Sequence, residues 1–171
     1  WTSPDSAAAS ITGDIFLAAW GAPDDWTPSA NSYICAKYQT PSTRSYALGI
    51  ATTGEIRVIS SSDGSTIVTT NSSVATGFAD GTLHGFGVAI DLSDNTATFY
   101  TTESTPFTPH NKVVWMQLGD VVTHTQTAIY DGSALVTIGG LLDNLSQNEW
   151  TGRIMRAYAI ASTDPTVAPA W

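Results

Sequence analysis

Bulky apolar residues alternate with small or polar ones along most of the chain, with a period of two. In Phe86-Gly87-Val88-Ala89-Ile90-Asp91-Leu92 the large groups Phe86, Val88, Ile90 and Leu92 fall on one face, as the pleat of a half-buried strand requires. Arg44-Ser45-Tyr46-Ala47-Leu48-Gly49-Ile50 puts Tyr46, Leu48 and Ile50 together in the same way. Near the end, Ile154, Tyr158 and Ile160, with Arg156 between them, oppose Arg153, Met155 and two alanines. No window of about 11 residues or more keeps a helical period. Further strands are predicted at 14–20, 31–38, 55–60, 65–70, 96–102, 112–118 and 134–138. Thr53-Gly54, Asp63-Gly64, Asp80-Gly81, Asp94-Asn95 and Asp131-Gly132 separate them; Gly, Asn and Asp supply the positive φ that tight turns need. About ten such strands at roughly 10–15-residue spacing predict an all-β, antiparallel sandwich. Ile15-Phe16-Leu17-Ala18-Ala19-Trp20 is apolar on both faces and is expected between other layers.

The 171 residues suit one domain. A sandwich over 1–162 is expected, with 163–171, containing Pro165 and Pro169, as an exit segment or linker. Hydrophobic residues make up 42% and charged residues 12%, a balance that excludes disorder. No run approaches the roughly 18 apolar residues of a membrane helix, so no membrane insertion is expected. The net charge of −9 repels phosphate backbones, and nucleic acid is not expected as a partner. The single cysteine, Cys35, excludes an intrachain disulfide and any multi-cysteine metal site; it reads as a buried, inert thiol. The chain opens on Trp1 rather than Met and is read as a segment of something longer.

The order of motifs carries a resemblance. Pro4-Asp5-Ser6-Ala7-Ala8 leads to Ile11-Thr12-Gly13-Asp14-Ile15 and Asp25-Trp26-Thr27-Pro28, then the Lys37 strand, Arg44-Ser45-Tyr46 and Ser61-Ser62-Asp63-Gly64-Ser65. Val88–Leu92, Thr98-Phe99-Tyr100-Thr101, Trp115-Met116-Gln117-Leu118-Gly119, Val136-Thr137-Ile138-Gly139-Gly140 and Trp150-Thr151-Gly152-Arg153-Ile154 follow. Over about residues 3–162 this order resembles the laminin-G-like, concanavalin A-like jelly roll carried by minor tail proteins of actinobacteriophages. The resemblance implies two curved antiparallel sheets, a place on the virion surface, extracellular and in the tail, and adhesion to host-surface carbohydrate. Host-surface glycan and other virion proteins are the partners it implies; a homo-oligomer formed through a longer parent protein stays open. The chain departs from the pattern at 103–114, where Glu103-Ser104-Thr105-Pro106-Phe107-Thr108-Pro109-His110-Asn111 makes a longer loop.

Chemistry is sparse. Glycoside hydrolysis needs two carboxylates about 5–10 Å apart, and glucanases of this fold carry them as Glu-x-Asp-x-x-Glu. The chain lacks that pattern; Glu55, Glu103 and Glu149 are isolated. His84, His110 and His124 lack metal-ligand spacing, and no catalytic residue is nominated. No cofactor is expected beyond calcium, for which Asp24 and Asp25, the only adjacent acids, are the candidate ligands. Asn71-Ser72-Ser73 and Asn144-Leu145-Ser146 fit the glycosylation sequon and are read as coincidence. Sugar rings lie on aromatic faces while polar groups fix their hydroxyls. The candidates for that role are Trp26, Tyr38, Tyr46 and Trp115, with Arg44 and Asp63 as polar partners. Trp20, Trp115 and Trp150 sit in predicted apolar strands and read more readily as core, whereas Trp26, between Asp25 and Thr27-Pro28, is the best exposed-loop candidate. A non-catalytic adhesive module is the leading reading. A structural virion domain without a glycan ligand is the alternative, and a glycan-cleaving enzyme trails both.

Overall fold

A computed structural model describes residues 1–142 and 148–167; the Asn144 sequon and residues 168–171 of the expected exit segment lie outside the described residues. Among the described residues twelve strands follow in chain order: β1 (Thr2–Ser3), β2 (Ile15–Pro23), β3 (Ser32–Lys37), β4 (Tyr46–Ile50), β5 (Ile56–Ser60), β6 (Val68–Asn71), β7 (His84–Asp91), β8 (Thr96–Thr102), β9 (Met116–Gln117), β10 (Val122–Thr123), β11 (Val136–Ile138) and β12 (Gly152–Ile160). They form two sheets, β1-β11-β3-β4-β5-β6 and β10-β8-β7-β2-β12, with β9 added beside β8, and every pairing is antiparallel. Among the described residues no helix is long and apolar enough to cross a membrane.

The period-two pattern builds the space between the sheets. Tyr46, Leu48, Ile50, Ile56 and Val58 from the first sheet meet Ile15, Leu17, Phe86, Val88, Ile90 and Phe99 from the second. Each such side chain contributes about 1.5–3 kcal/mol when withdrawn from water, which makes this seam the chief source of stability. Gly49 is required where it stands, because a Cβ there would lie 2.1 Å from the Ser32 carbonyl oxygen.

β2 is buried on both sides, as its sequence predicts. Its second face, Phe16, Ala18 and Trp20, packs with Tyr158 and Ile160 against Val113, Tyr100 and Trp115. The covering layer is the long 103–115 segment. Trp20 Nε1 donates to the Ser104 carbonyl at 2.7 Å, and Arg156, lying over the Trp20 and Tyr158 rings, donates to the carbonyls of Pro106 and Thr108. The strand expected at 112–118 is therefore reduced: a 3₁₀ turn spans His110–Lys112 and only Met116–Gln117 pair, because Trp115 turns onto Phe16, 5.2 Å between ring centres.

A second difference lies in β12. Its register shifts between Ile154 and Arg156, so Met155 is bulged out and the alternation is reset. Ile154 faces the inter-sheet core whereas Tyr158 and Ile160 face the outer cluster, splitting a set that a strict period of two groups together.

The segment between β10 and β11 closes one end of the sandwich. Ile129 and Tyr130 donate their N–H groups to the carbonyls of Thr12 and Ser61. His124 is fully buried, its ring nitrogens 2.7 Å from Ser60 Oγ and 2.8 Å from Thr70 Oγ1. Desolvation lowers its pKa from 6.5 to about 4. The unfolded chain takes up a proton here as pH falls through 6.5, while the native imidazole stays neutral until about 4. Stability from this group is therefore complete above the unfolded value and declines as pH falls toward the native one, by about 3 kcal/mol in all. Urea denaturation at several pH values should show this decline, and His124→Gln should flatten it; an unchanged slope in the variant would place the effect in other groups.

Candidate functional site

At the end closed by 124–133, three segments distant in sequence meet on one cation. Lys37 pairs with Tyr46 across the β3–β4 ladder, so its side chain enters the sandwich with the core residues, and it has no exposure at all. Its Nζ lies 2.8 Å from Asp5 Oδ1 and 3.1 Å from Asp131 Oδ1, and 3.3 Å from Ser10 Oγ. Desolvating an ammonium is costly unless carboxylates and hydrogen bonds compensate, and here both acids face it. Their own side chains remain 33% and 51% exposed, so each carboxylate is held from within and open to water outside. A hydrogen bond from Ser10, then the Lys37 ammonium, hold the Asp131 carboxyl below its ordinary range. Beside this clamp Tyr46 donates its hydroxyl proton to the Ala9 carbonyl at 3.1 Å.

The β3–β4 and β5–β6 connections form the adjoining rim. Arg44 sits over the Tyr38 ring, 5.6 Å from its centre, takes the Gly64 carbonyl with its backbone N–H at 3.1 Å, and donates from Nη1 to the Ser65 carbonyl. Asp63 Oδ1 accepts the N–H groups of Ser65 and Thr66, both at 2.7 Å, and the Ser61 hydroxyl at 3.2 Å. These bonds, the backbone ones first, lower its pKa to about 2. Gly64, at φ +81°, is the residue this turn requires: a Cβ would lie 2.4 Å from the Ser42 carbonyl and 2.6 Å from the Tyr130 ring. An open cleft of about 80 Å³ lies against the N-terminal segment, lined by Trp1, Ser3, Pro4, Ser6, Ala9 and Val136.

Of the expected sugar-site residues, Tyr38, Arg44, Tyr46 and Asp63 therefore share one end of the molecule, but only Arg44 and Asp63 offer groups to solvent. Tyr38 packs into a small outer cluster with Tyr33, Ala36, Ala47, Ile59 and Leu141, and Arg44 covers its ring. The expectation of an exposed Trp26 is corrected. Trp26 is 1% exposed, seals the opposite end against Phe78, Phe86 and Trp150, and is fixed by Asp80 Oδ1 at its N–H and by the Thr82 carbonyl at Nε1. Both of its faces meet protein. Trp115 belongs to the layer over β2. Asp25 Oδ1 caps its own turn through the Thr27 N–H and hydroxyl, and Asp24 beside it is exposed. Among the described residues no three His, Cys, Asp or Glu side chains gather where they could hold a metal ion. His84 stacks on Phe78 with Nδ1 3.8 Å from Glu103; desolvation, opposed by Glu103, lowers its pKa. Cys35 is buried and its thiol is pushed up to about 12, too high for a reactive thiolate.

Sequence reading missed Lys37, Asp5 and Asp131. One signal was present: Lys37 stands in register with Cys35 on the inward face of an otherwise apolar strand, and a cation at such a position needs acids brought from elsewhere.

No protein-family model matches the chain and no curated protein matches it. Solved structures do. A heptameric SAP-like pentraxin from Limulus polyphemus matches 92% of this chain and 65% of its own, at TM-score 0.53 and 11% identity; this chain thus spans somewhat less than two thirds of that protein. The CBM40 of the Ruminococcus gnavus IT-sialidase, bound to α2,3 sialyllactose, matches 91% of this chain and 78% of its own, at 0.52 and 11%. A leech intramolecular trans-sialidase covers 94% of this chain, which spans 24% of that enzyme, at 0.52 and 11%. These likenesses show the fold: an antiparallel jelly-roll sandwich.

Two stability measurements test the assignments. Asp5→Asn with Asp131→Asn leaves the buried ammonium without a counter-charge and should cost about 3–5 kcal/mol in urea unfolding, more than Lys37→Met, which frees two carboxylates that water can reach. Trp26→Ala should cost about 3–5 kcal/mol through the cavity it opens. A near-neutral result in the double variant or in Trp26→Ala would contradict the corresponding placement.

Proposed function

We propose that the chain is a non-catalytic adhesive module that binds carbohydrate at the end of the sandwich formed by the 4–10, 38–45, 61–67 and 129–133 segments. The observation that carries this reading is the fixed polar rim, with Arg44, Asp63, Asp131 and Asp5 each held by backbone, hydroxyl or buried-cation bonds while facing water. Preorganised polar groups of this kind orient hydroxyl-rich ligands without first having to be ordered. The fold is shared with a carbohydrate-binding module, which agrees with the proposal.

The fold does create one non-local carboxylate pair, Asp5 and Asp131, both on Lys37. Both carboxylates are already engaged by one ammonium, and Asp131, held below its ordinary range, does not supply the proton-holding acid that glycoside cleavage needs. The motif order described above supports an actinobacteriophage tail as the setting, with the module at the virion surface adhering to the host envelope. There, weak single sites act together through copy number. Calcium at Asp24 and Asp25 is an accessory proposal, tested by a rise in thermal midpoint on adding the ion.

A second reading has one observation in its favour. Phe107 is 82% exposed, with Val114 and Met116 also exposed along the same segment, and such residues suit contact with a neighbouring virion protein.

The two readings part on one experiment. The chain displayed multivalently should bind host-envelope polysaccharide on a glycan array, and Arg44→Ala should reduce that binding at least several-fold without unfolding the protein. Absence of binding to any glycan, with the module folded, would remove the adhesive reading.

A further inference from the structure

Lys37 brings a primary amine, a nucleophile, into the sandwich with no exposure, and nothing in sugar binding uses that reactivity. Its surroundings disfavour charge. Its ladder partners, Tyr46 on β4 and Val136 on β11, are both buried, and desolvation holds the Tyr46 hydroxyl well above its ordinary value. In such a medium an ammonium–carboxylate pair and its neutral counterpart, an amine beside a carboxylic acid, approach one another in energy. The neutral pair is also the pair of reactants from which an amide forms.

The two acids on that amine are not equivalent. Asp5 Oδ1 lies closer to Nζ, at 2.8 Å against 3.1 Å for Asp131, and its side chain is the less exposed, 33% against 51%. Asp131 is held as the anion, first by the Ser10 hydroxyl and then by Lys37, and a carboxylate so held resists nucleophilic attack while still accepting protons. Asp5 therefore has the position of the acyl group and Asp131 that of the base. Their segments are fixed. Ser3, two residues before Asp5, pairs with Val136. On either side of Asp131, the Tyr130 N–H donates to the Ser61 carbonyl at 2.7 Å and the Gly132 N–H to Ser45 Oγ at 3.2 Å. Reacting groups held in contact in this way gain an effective concentration of about 10⁵–10⁸ M.

We infer that Lys37 and Asp5 condense in the folded chain into an isopeptide bond, with Asp131 carrying the proton. The ion pair assembles this end of the molecule and is the reactant state. Lys37 passes one ammonium proton to the Asp5 carboxylate, and the Nζ lone pair attacks Asp5 Cγ. Asp131 takes a second proton from Nζ and returns it to the departing hydroxyl, which leaves as water. One C–N bond forms, one C–O bond breaks, and nothing is oxidised or reduced. The partly exposed Asp5 side chain gives that water a way out. The product is a neutral amide whose oxygen still accepts hydrogen bonds. It removes the buried charge and ties the N-terminal segment to β3, restricting the unfolded chain as a disulfide does. The bond is independent of the carbohydrate reading and forms without a glycan.

The test is the intact mass of the purified chain, folded at neutral pH and then denatured, followed by tryptic mapping. The expected mass is lower than the sequence requires by one water. No lysine or arginine stands between Asp5 and Lys37, so one tryptic peptide holds both. With Lys37 acylated, trypsin should not cleave after it, and that peptide should run on to Arg44, short of one water. A full sequence mass would overturn the inference. So would a water lost while cleavage after Lys37 stays normal, as ring closure at Asp63-Gly64, Asp80-Gly81 or Asp131-Gly132 would produce. Asp131→Asn keeps both reactants and, with its near-ultraviolet dichroism unchanged, should show the full mass of its own sequence; the same loss of water there would remove Asp131 from the step. The mass of the parent chain decides the bond itself whether or not that variant folds.

Discussion

One ammonium group shut away from water organises the end of the molecule on which the functional reading rests. Lys37 enters the sandwich because its strand alternates and its position is an inward one; nothing local can satisfy it there. Asp5 and Asp131 lie far away in the chain, and each reaches it only if the N-terminal segment and the segment before β11 both fold back against the first sheet. The charge is thus a condition on tertiary structure. It brings the N-terminal segment and the segment before β11 together, and it fixes the acids with one oxygen each engaged from within while their side chains stay open to water.

The opposite face of the second sheet shows a different solution to burial. A strand that is apolar on both sides cannot stand at the surface of a two-layer sandwich, and the 103–115 segment supplies the missing cover. It does so with little regular structure of its own, held by a tryptophan N–H and an arginine that reach its carbonyls. The residues that do not face β2, Phe107 and Val114, are left in solvent. Covering one apolar face has thus created a smaller one, which is why a structural contact competes with the adhesive reading at this place.

Much of the architecture was legible because alternation and turn chemistry agree. The Phe86–Leu92 and Arg44–Ile50 stretches place the residues inward that their period places there, and the two-sided burial of β2 follows from Ile15–Trp20 alone. Alternation failed where a single inserted residue, Met155, reset the count, and where Trp115 left the ladder for a contact made in three dimensions. The site was less legible for a related reason. Residue type groups Trp26, Tyr38, Tyr46 and Trp115 with Arg44 and Asp63, but whether an aromatic ring faces water depends on what packs over it, and no local pattern encodes that for Trp26 or Tyr38. The acids of the Lys37 clamp acquire meaning only through a partner distant in the chain, more than ninety residues away for Asp131.

The irregularity in β12 reaches beyond its own strand. β12 is the border of the second sheet, nine residues long, and a border of that length offers unpaired backbone groups to any similar strand it meets. The extra residue at Met155 breaks the even spacing of those groups part-way along and increases the local twist. Edge-to-edge pairing of two copies along this border is thereby disfavoured. An inserted residue that costs one strand its regular alternation thus also guards the sheet's open margin against unwanted strand addition.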